Sequence, residues 1–272
     1  MTDLAVIMST YRNDKIAYLK QSVESILTQT YSNFHFLIVF DGPVSTEIET
    51  YITNIKDERI KLYRIEDNGG LARALNLLLE IVLKNPEYKY IARMDADDIS
   101  MINRFEKQRN SLEESHAISI VGCWYQEIDE HGTFLAERKL PINHEKLRYR
   151  FYFRIPFAHP SVMYRTSMIK KAGLYPVDTY LMEDIVLWGR VLNENLHFAN
   201  IPEFLLKYRK DGGFYRRRSG IRYGWQFIIT KFKINKLIKS PFYSYIVTFF
   251  IGIIKMMPTF ILRYFYVAAR KF

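Results

Sequence analysis

The chain of 272 residues contains one cysteine, Cys123. A single thiol excludes an internal disulfide and a multi-cysteine metal site, and it suits a reducing compartment. The start, Met-Thr-Asp-Leu-Ala-Val-Ile-Met-Ser-Thr, has no basic residue ahead of a very short apolar run, so no secretory signal is expected. No stretch rich in Gly, Ser or Pro marks a linker, and no internal repeat or low-complexity segment occurs. GxGxxG and GxxxxGK[ST] are both missing, which removes the usual dinucleotide and P-loop readings. With 49% hydrophobic and 25% charged residues, a disordered chain is excluded.

Acids are nearly absent from the last quarter. Residues 207–272 hold one acid, Asp211, against 15 Lys and Arg, whereas residues 1–206 hold 28 acids against 24 basic residues. The net charge of +10 is therefore a property of the tail. Helical spacing places Ile221, Trp225, Ile228, Ile229 and Phe232 on one stripe, with Arg222 and Lys231 off it. Phe242 to Ile254 then runs thirteen residues without a charge, short of the ~20 that a spanning helix needs. These features predict basic, apolar helices over 215–272 lying on the anionic cytoplasmic leaflet. A span over 242–266 and an ordinary helical tail packed on the domain are the alternatives. The expected division is a catalytic domain over 1–210 and a membrane-associated tail over 211–272.

Ahead of the tail, strands alternate with helices. Apolar runs at Leu4–Ser9, Phe34–Phe40, Ile60–Arg64 and Tyr88–Met94 read as strands. Helical patterns follow at 16–27, where Asn13 and Asp14 are candidate caps, at about 45–55, and at Leu71–Leu83. This alternation predicts an α/β fold with a mostly parallel sheet, whose ligand site lies at the carboxyl ends of the strands. Ser9-Thr10, Asp41-Gly42, Asn68-Gly69-Gly70 and Asp95-Ala96-Asp97-Asp98 fall at four such ends in succession. Further on, Ile118–Cys123, Trp124–Ile128 and Phe134–Leu140 read as antiparallel strands, and Asn143–Phe153 and Met182–Asn195 as helices. Cys123 and the tryptophans Trp188 and Trp225 read as packing residues.

Two carboxylates spaced as in Asp95-x-Asp97 suit a Mg²⁺ or Mn²⁺ ion that shares substrate phosphates. Ser9-Thr10 and Asn68-Gly69-Gly70 offer backbone groups to a nucleotide, and Arg73 a charge to its phosphate. Glu183-Asp184 opens a helix, where negative charge also suits the dipole.

Taken together, Ala5 to Tyr11, Gln29-Thr30, Asp41-Gly42, Asn68-Gly69-Gly70-Leu71-Ala72-x-Ala74-Leu75-Asn76, Asp95-Ala96-Asp97-Asp98, His159-Pro160-Ser161-Val162-Met163 and Glu183-Asp184-x-x-Leu187-Trp188 resemble family 2 glycosyltransferases, which have the GT-A fold. The match spans 4–209 in the right order and is most similar to bacterial enzymes that build O-antigen or capsule repeat units. The resemblance implies an inverting transfer of glucose or galactose from a UDP-sugar to GlcNAc- or GalNAc-diphosphoundecaprenol. It also implies a β-1,3 bond, a Mn²⁺ or Mg²⁺ cofactor, and a place on the cytoplasmic face of the inner membrane. By position it implies that Thr10 and Tyr11 line the uracil pocket and that Asp41 bonds the base. Asn68 and Arg73 would lie near the nucleotide, Asp95 at the ribose or metal shell, and Asp97 on the metal. Asp184 would be the general base and Glu183 its support, with His159 and Trp188 toward the acceptor. Arg216-Arg217-Arg218 would meet a lipid diphosphate or headgroup. The chain departs from the family where many members carry two acids before the glycine, since Phe40 precedes Asp41. A nucleotidyltransferase and a non-enzymatic membrane- or nucleic-acid-binding protein are the rival classes. The first is disfavoured because Met8-Ser9-Thr10-Tyr11-Arg12 has no glycine, and no nucleic-acid partner is expected.

Overall fold

The computed structural model describes residues 2–259. The strands are β1 (Leu4–Thr10), β2 (Phe34–Asp41), β3 (Ile60–Ile65), β4 (Tyr90–Arg93), β5 (Ile99–Ser100), β6 (Ile118–Ile128), β7 (Phe134–Arg138), β8 (Met163–Arg165) and β9 (His197–Arg209). The helices are α1 (Ile16–Leu27), α2 (Thr46–Asn54), α3 (Leu71–Lys84), α4 (Arg104–Glu114), α5 (His144–Phe151), α6 (Thr166–Ala172), α7 (Glu183–Asn193), α8 (Phe214–Arg217), α9 (Ile221–Leu237) and α10 (Phe242–Met256). The strands form one sheet in the order β3-β2-β1-β4-β8-β6-β9-β5, with β7 added beside β6.

The sheet is mixed rather than mostly parallel. β3, β2, β1 and β4 are parallel, as the alternation of strands and helices predicts. β8 then enters antiparallel to both β4 and β6, and β5 is antiparallel to β9. The two runs expected at 118–123 and 124–128 are one strand, β6, which pairs in parallel with the long β9. Bulges near Trp124 absorb the register shift.

β1 is buried along nearly its whole length, so both of its faces meet a core. Ala5 and Ile7 face α3, α7 and α9; Leu4, Val6 and Met8 face α1 and α4. Cys123 is buried in the second core.

The expected α9 stripe is divided between two surroundings: Ile221 is 76% and Trp225 55% exposed, whereas Ile228 is buried and Phe232 lies edge-on to Tyr245. Tyr223, Phe227, Ile234 and Ile238 join the α3–α7 core. Lys231, expected off the packed face, is buried on it, and its ammonium donates to the Phe151 carbonyl (2.6 Å). α9 turns this way because its buried face must supply shape as well as apolarity: Gly189 on α7 admits the Ile234 side chain.

α10 packs on α9 with its small and polar side chains. Ser244, Thr248, Gly252 and Lys255 are buried, while Phe242 is 78% and Phe250 60% exposed. The two helices meet at a glycine pair, where a Cβ on Gly224 would lie 2.6 Å from the Gly252 carbonyl oxygen. No helix among the described residues is long and apolar enough to cross a membrane. The part of the 242–266 expectation from residue 260 onward lies outside the described residues.

Overpacking at a close backbone approach costs about 1–3 kcal/mol. Gly224→Val is therefore expected to lower Tm by about 3–10 °C in a circular-dichroism melt. An unchanged Tm would mean that α10 does not dock on α9 through this contact.

Candidate active site

The site is built at the carboxyl ends of β1, β2 and β4. At the end of β2, the buried Asp41 takes its donors from the loop ahead of α3: Gly69 N (2.8 Å), Gly70 N (3.0 Å) and Asn68 Nδ2 (3.1 Å). A buried carboxylate needs such partners. Two N–H groups of the Asn68-Gly69-Gly70 segment are thus turned inward to Asp41. Gly42, at φ +77°, allows the approach, since a Cβ there would meet Asn68 N at 2.6 Å. Arg73 is exposed in the first turn of α3, its side chain lying over Gly69.

The Asp95–Asp98 turn follows β4. Arg209, at the end of β9, staples it: its backbone N–H donates to Asp98 Oδ1 (2.7 Å), and its Nε to the Asp97 carbonyl (2.8 Å). Its Nη2 reaches Gln21 Oε1 (2.6 Å). From α1, Ser22 Oγ donates to the Asp95 carbonyl (2.7 Å). Carboxylate oxygens of Asp95, Asp97 and Asp98 lie within 4.8 Å of one another. Asp98 is buried and bonded to Arg209, which leaves Asp95 and Asp97 as the outward pair. Two hard oxygen donors in excess negative charge fit a divalent cation.

A third acid joins them. Asp14 does not cap α1, whose first turn has no side-chain cap at Lys15. It accepts instead from Tyr11 N (3.0 Å), and its charge reaches Asp95. Burial pushes Asp14 up to about 6. Burial, then Asp95 and Asp14, push Asp97 up to about 7. Thr10 is buried with its hydroxyl beside Asp14, and Tyr11 is partly exposed near Asp97.

α7 brings the second pair of acids. The loop before it is anchored by Asn76 on α3, which exchanges two hydrogen bonds with the Tyr175 backbone (2.8 and 2.9 Å). Leu181 then adopts φ 55°, a strained conformation for a branched side chain. Glu183 and Asp184 follow in the first turn, and Asp184 Oδ1 accepts from Ile185 N (2.8 Å). Burial and then Glu183 push Asp184 up to about 7. Burial also raises Glu183, and the charge of Asp95 adds to it. The charge of Asp95 thus reaches Glu183, across 88 residues of sequence, so the turn after β4 and the first turn of α7 act on one another. Arg218, just past α8, opposes the charge of both α7 acids, while Arg217 pairs with Asp211 (2.7 and 2.9 Å).

His159 and Trp188 are engaged within the core. His159 Nε2 is 2.9 Å from Tyr175 Oη, and burial then the charge of Arg93 hold its pKa well below the usual value. Trp188 is fully buried, edge-on to Phe157 and His159, as a packing residue. Trp225, also expected to pack, is exposed. Sequence reasoning missed Asp14, Arg93 and Arg209. Asp14 sits where a helix cap is ordinary, and Arg209 ends a strand whose length the apolar pattern does not reveal.

The family model for glycosyl transferase family 2 matches residues 5–173. The chain is 38% identical over 210 residues to the O-antigen biosynthesis glycosyltransferase WbnJ of Escherichia coli, covering 76% of this chain and 79% of that protein. It is 28% identical to the UDP-Gal:alpha-D-GlcNAc-diphosphoundecaprenol beta-1,3-galactosyltransferase of Escherichia coli, covering 96% of this chain and 94% of that one. In fold it is similar to S. aureus TarS 1-349, whose structure was solved with UDP-GlcNAc. The TM-score is 0.64 at 15% identity, with 87% of this chain and 70% of that one covered.

The raised Asp184 carries a stability consequence. Its unfolded value is near 3.8 and its folded value about 7. Between them the folded protein keeps a proton that the unfolded chain has lost, so stability falls as pH rises through that window. Asp184→Asn removes this loss. Scanning calorimetry is expected to show Tm about 2–5 °C above wild type at pH 8, with a smaller gain at pH 5. An equal Tm at pH 8 would contradict a burial-driven shift.

Proposed function

The chain belongs to glycosyl transferase family 2, and we propose that it transfers a hexose, glucose or galactose, from a UDP-sugar to a GlcNAc- or GalNAc-diphosphoundecaprenol acceptor. The bond is β-1,3 and the product a repeat unit of O-antigen or capsule. The observation that carries the reading is the acidic cluster of the Asp95–Asp98 turn together with the reach of the Asp95 charge to Glu183 at the start of α7. The relatives' O-antigen and galactosyltransferase names support the substrate class.

In this reading Asp184 accepts the proton of the acceptor hydroxyl as its oxygen attacks the anomeric carbon in line. The new C–O bond forms while the bond to the diphosphate breaks, and UDP leaves with the electron pair, so the configuration inverts. A carboxyl pushed to about 7 is matched to proton transfer near neutral pH. Glu183 keeps that carboxyl high. Asp95 and Asp97 would hold a divalent ion, Mn²⁺ or Mg²⁺, and such an ion would supply positive charge for the departing diphosphate. Thr10, Tyr11, Asp41 and Arg73 frame the nucleotide, Asp41 chiefly by shaping the loop. Arg218 supplies a cation toward the acceptor's diphosphate.

The same proposal places the enzyme at the cytoplasmic face of the inner membrane. The support is the inverted face of α10, with small and polar side chains inward and Phe242, Ile246, Phe249 and Phe250 outward. Trp225 and the exposed Lys233, Lys236 and Lys239 lie on the adjoining helix and its end. Large apolar side chains beside basic ones suit an anionic bilayer surface.

Purified protein, a UDP-sugar panel, Mn²⁺ and a synthetic GlcNAc-diphosphate-lipid are expected to give a hexose-shifted product by mass spectrometry, abolished by EDTA. Asp97→Ala is expected to abolish the metal-dependent transfer, and full activity in that variant would remove the metal assignment. Asp184→Asn is expected to cut kcat by about 10³-fold or more with UDP affinity near wild type. In wild type, kcat should fall about tenfold per pH unit below pH 7, as the proton returns to Asp184. Weakened UDP binding with normal turnover in Asp184→Asn would overturn the base assignment.

For the membrane, Phe249→Ser/Phe250→Ser is expected to reduce sedimentation with anionic vesicles at least tenfold. Equal sedimentation would reject this face, and salt-sensitive retention of RNA or DNA in place of vesicle binding would favour the nucleic-acid reading.

A further inference from the structure

Arg93 ends β4, and its side chain is only 1% exposed. Its Nη2 is ion-paired with Asp95 Oδ1, whereas its Nε and Nη1 are buried without a hydrogen-bond partner. A buried guanidinium normally spends its donors. The other arginines nearby spend both Nη groups or most of their donors: Arg104 donates from Nη1 and Nη2 to the carbonyls of Pro160 (3.0 Å) and Arg93 (2.9 Å), with only its Nε unpartnered, and Arg209 staples the Asp97 turn. Those bonds hold the fold. The ion pair of Arg93 is instead made to a carboxylate of the pocket, and two donors stay unspent. A local rule broken in this way is expected at a functional site.

The neighbours of Arg93 indicate what it does there. Its charge acts on Asp97, Asp98, Glu183, Asp184 and His159, groups contributed by the β4 turn, by α7 and by the segment before β8. Arg218 opposes the α7 acids from the C-terminal part of the chain, and Arg93 acts on the same acids from its buried place at the end of β4, where it is paired with Asp95.

Resting on the transferase reading above, we propose that Arg93 is the positioning residue that fixes the two acidic turns against each other. It holds Asp95 from within, and it supplies the permanent positive charge that lets Glu183 and Asp184 pack beside that turn before any metal or donor binds.

The test is a Mn²⁺ titration without nucleotide, followed by calorimetry, together with turnover, on wild type, Arg93→Met and Arg93→Lys. Removing a fixed cation from the pocket should tighten Mn²⁺ binding at least fivefold in Arg93→Met. The loss of positioning should lower kcat at least 100-fold. Arg93→Lys, which keeps the charge and loses the fork, should bind Mn²⁺ within threefold of wild type and recover at least a tenth of its turnover. A residue that only stabilised the fold would not tighten metal binding on removal. Unchanged or weaker Mn²⁺ binding in Arg93→Met, or kcat within threefold of wild type, would overturn the proposal. If Arg93→Met does not fold, Arg93→Gln decides by the same limits. The titration needs neither donor nor acceptor, so it judges Arg93 even where the sugar chemistry is misassigned. A wild type that neither binds Mn²⁺ nor turns over any UDP-sugar removes the transferase reading, and this proposal with it.

Discussion

Like charge held out of water is the constraint around which this molecule is organised. Asp14, Asp95, Asp97, Glu183 and Asp184 converge from β1, β4 and α7. Each would be better solvated in an unfolded chain. The protein holds them through backbone that is itself over-determined. Arg209 and Ser22 pin the Asp95–Asp98 turn, Asn76 pins the loop to α7, and Leu181 bears a left-handed conformation next to it. A site of this kind trades stability for readiness, since the acids are assembled before a substrate arrives.

The division of labour among the acids follows from their surroundings. Asp41 is also buried, yet three donors from one loop satisfy it, and it behaves as a structural knot. Asp98 accepts one backbone N–H, from Arg209, and Asp184 one, from Ile185. Burial comes first in raising Asp97, Asp98 and Asp184, and a neighbouring carboxylate adds to it in each.

Much of this was legible in the sequence, for identifiable reasons. β1, β2 and β3 are short apolar runs closed by polar or glycine-rich turns, and period and punctuation suffice to place them and their helices. The acids at strand ends follow from the same logic. The second half was harder. β6 and β9 pair in parallel across about 80 residues, and β8 enters antiparallel between β4 and β6. No local pattern encodes such pairings. Asp14 looked like a cap because a carboxylate at a helix start ordinarily is one. The α9 stripe is split, with Ile228 inward and Ile221 and Trp225 outward, because apolar periodicity locates a face without saying how much of it the protein covers. Here shape decided, since Gly189 and Gly224 admit close neighbours on the opposite side. Arg93 belongs to the Ala-Arg-Met-Asp-x-Asp-Asp run, but its burial and its pairing with Asp95 become visible only in the fold.

The contribution of α9 to the main core has a consequence for the order of events during synthesis. Tyr223, Phe227, Ile234 and Ile238 complete a core begun by Ile7 and Leu75. A ribosome makes the chain from the N-terminus, so the catalytic half waits with an open apolar flank until residue 238 has emerged. The next segment to appear is α10, with its outward phenylalanines. Closure of the enzyme and presentation of its greasiest surface therefore come within a few residues of each other. The nascent protein displays this face almost as soon as its main core is closed.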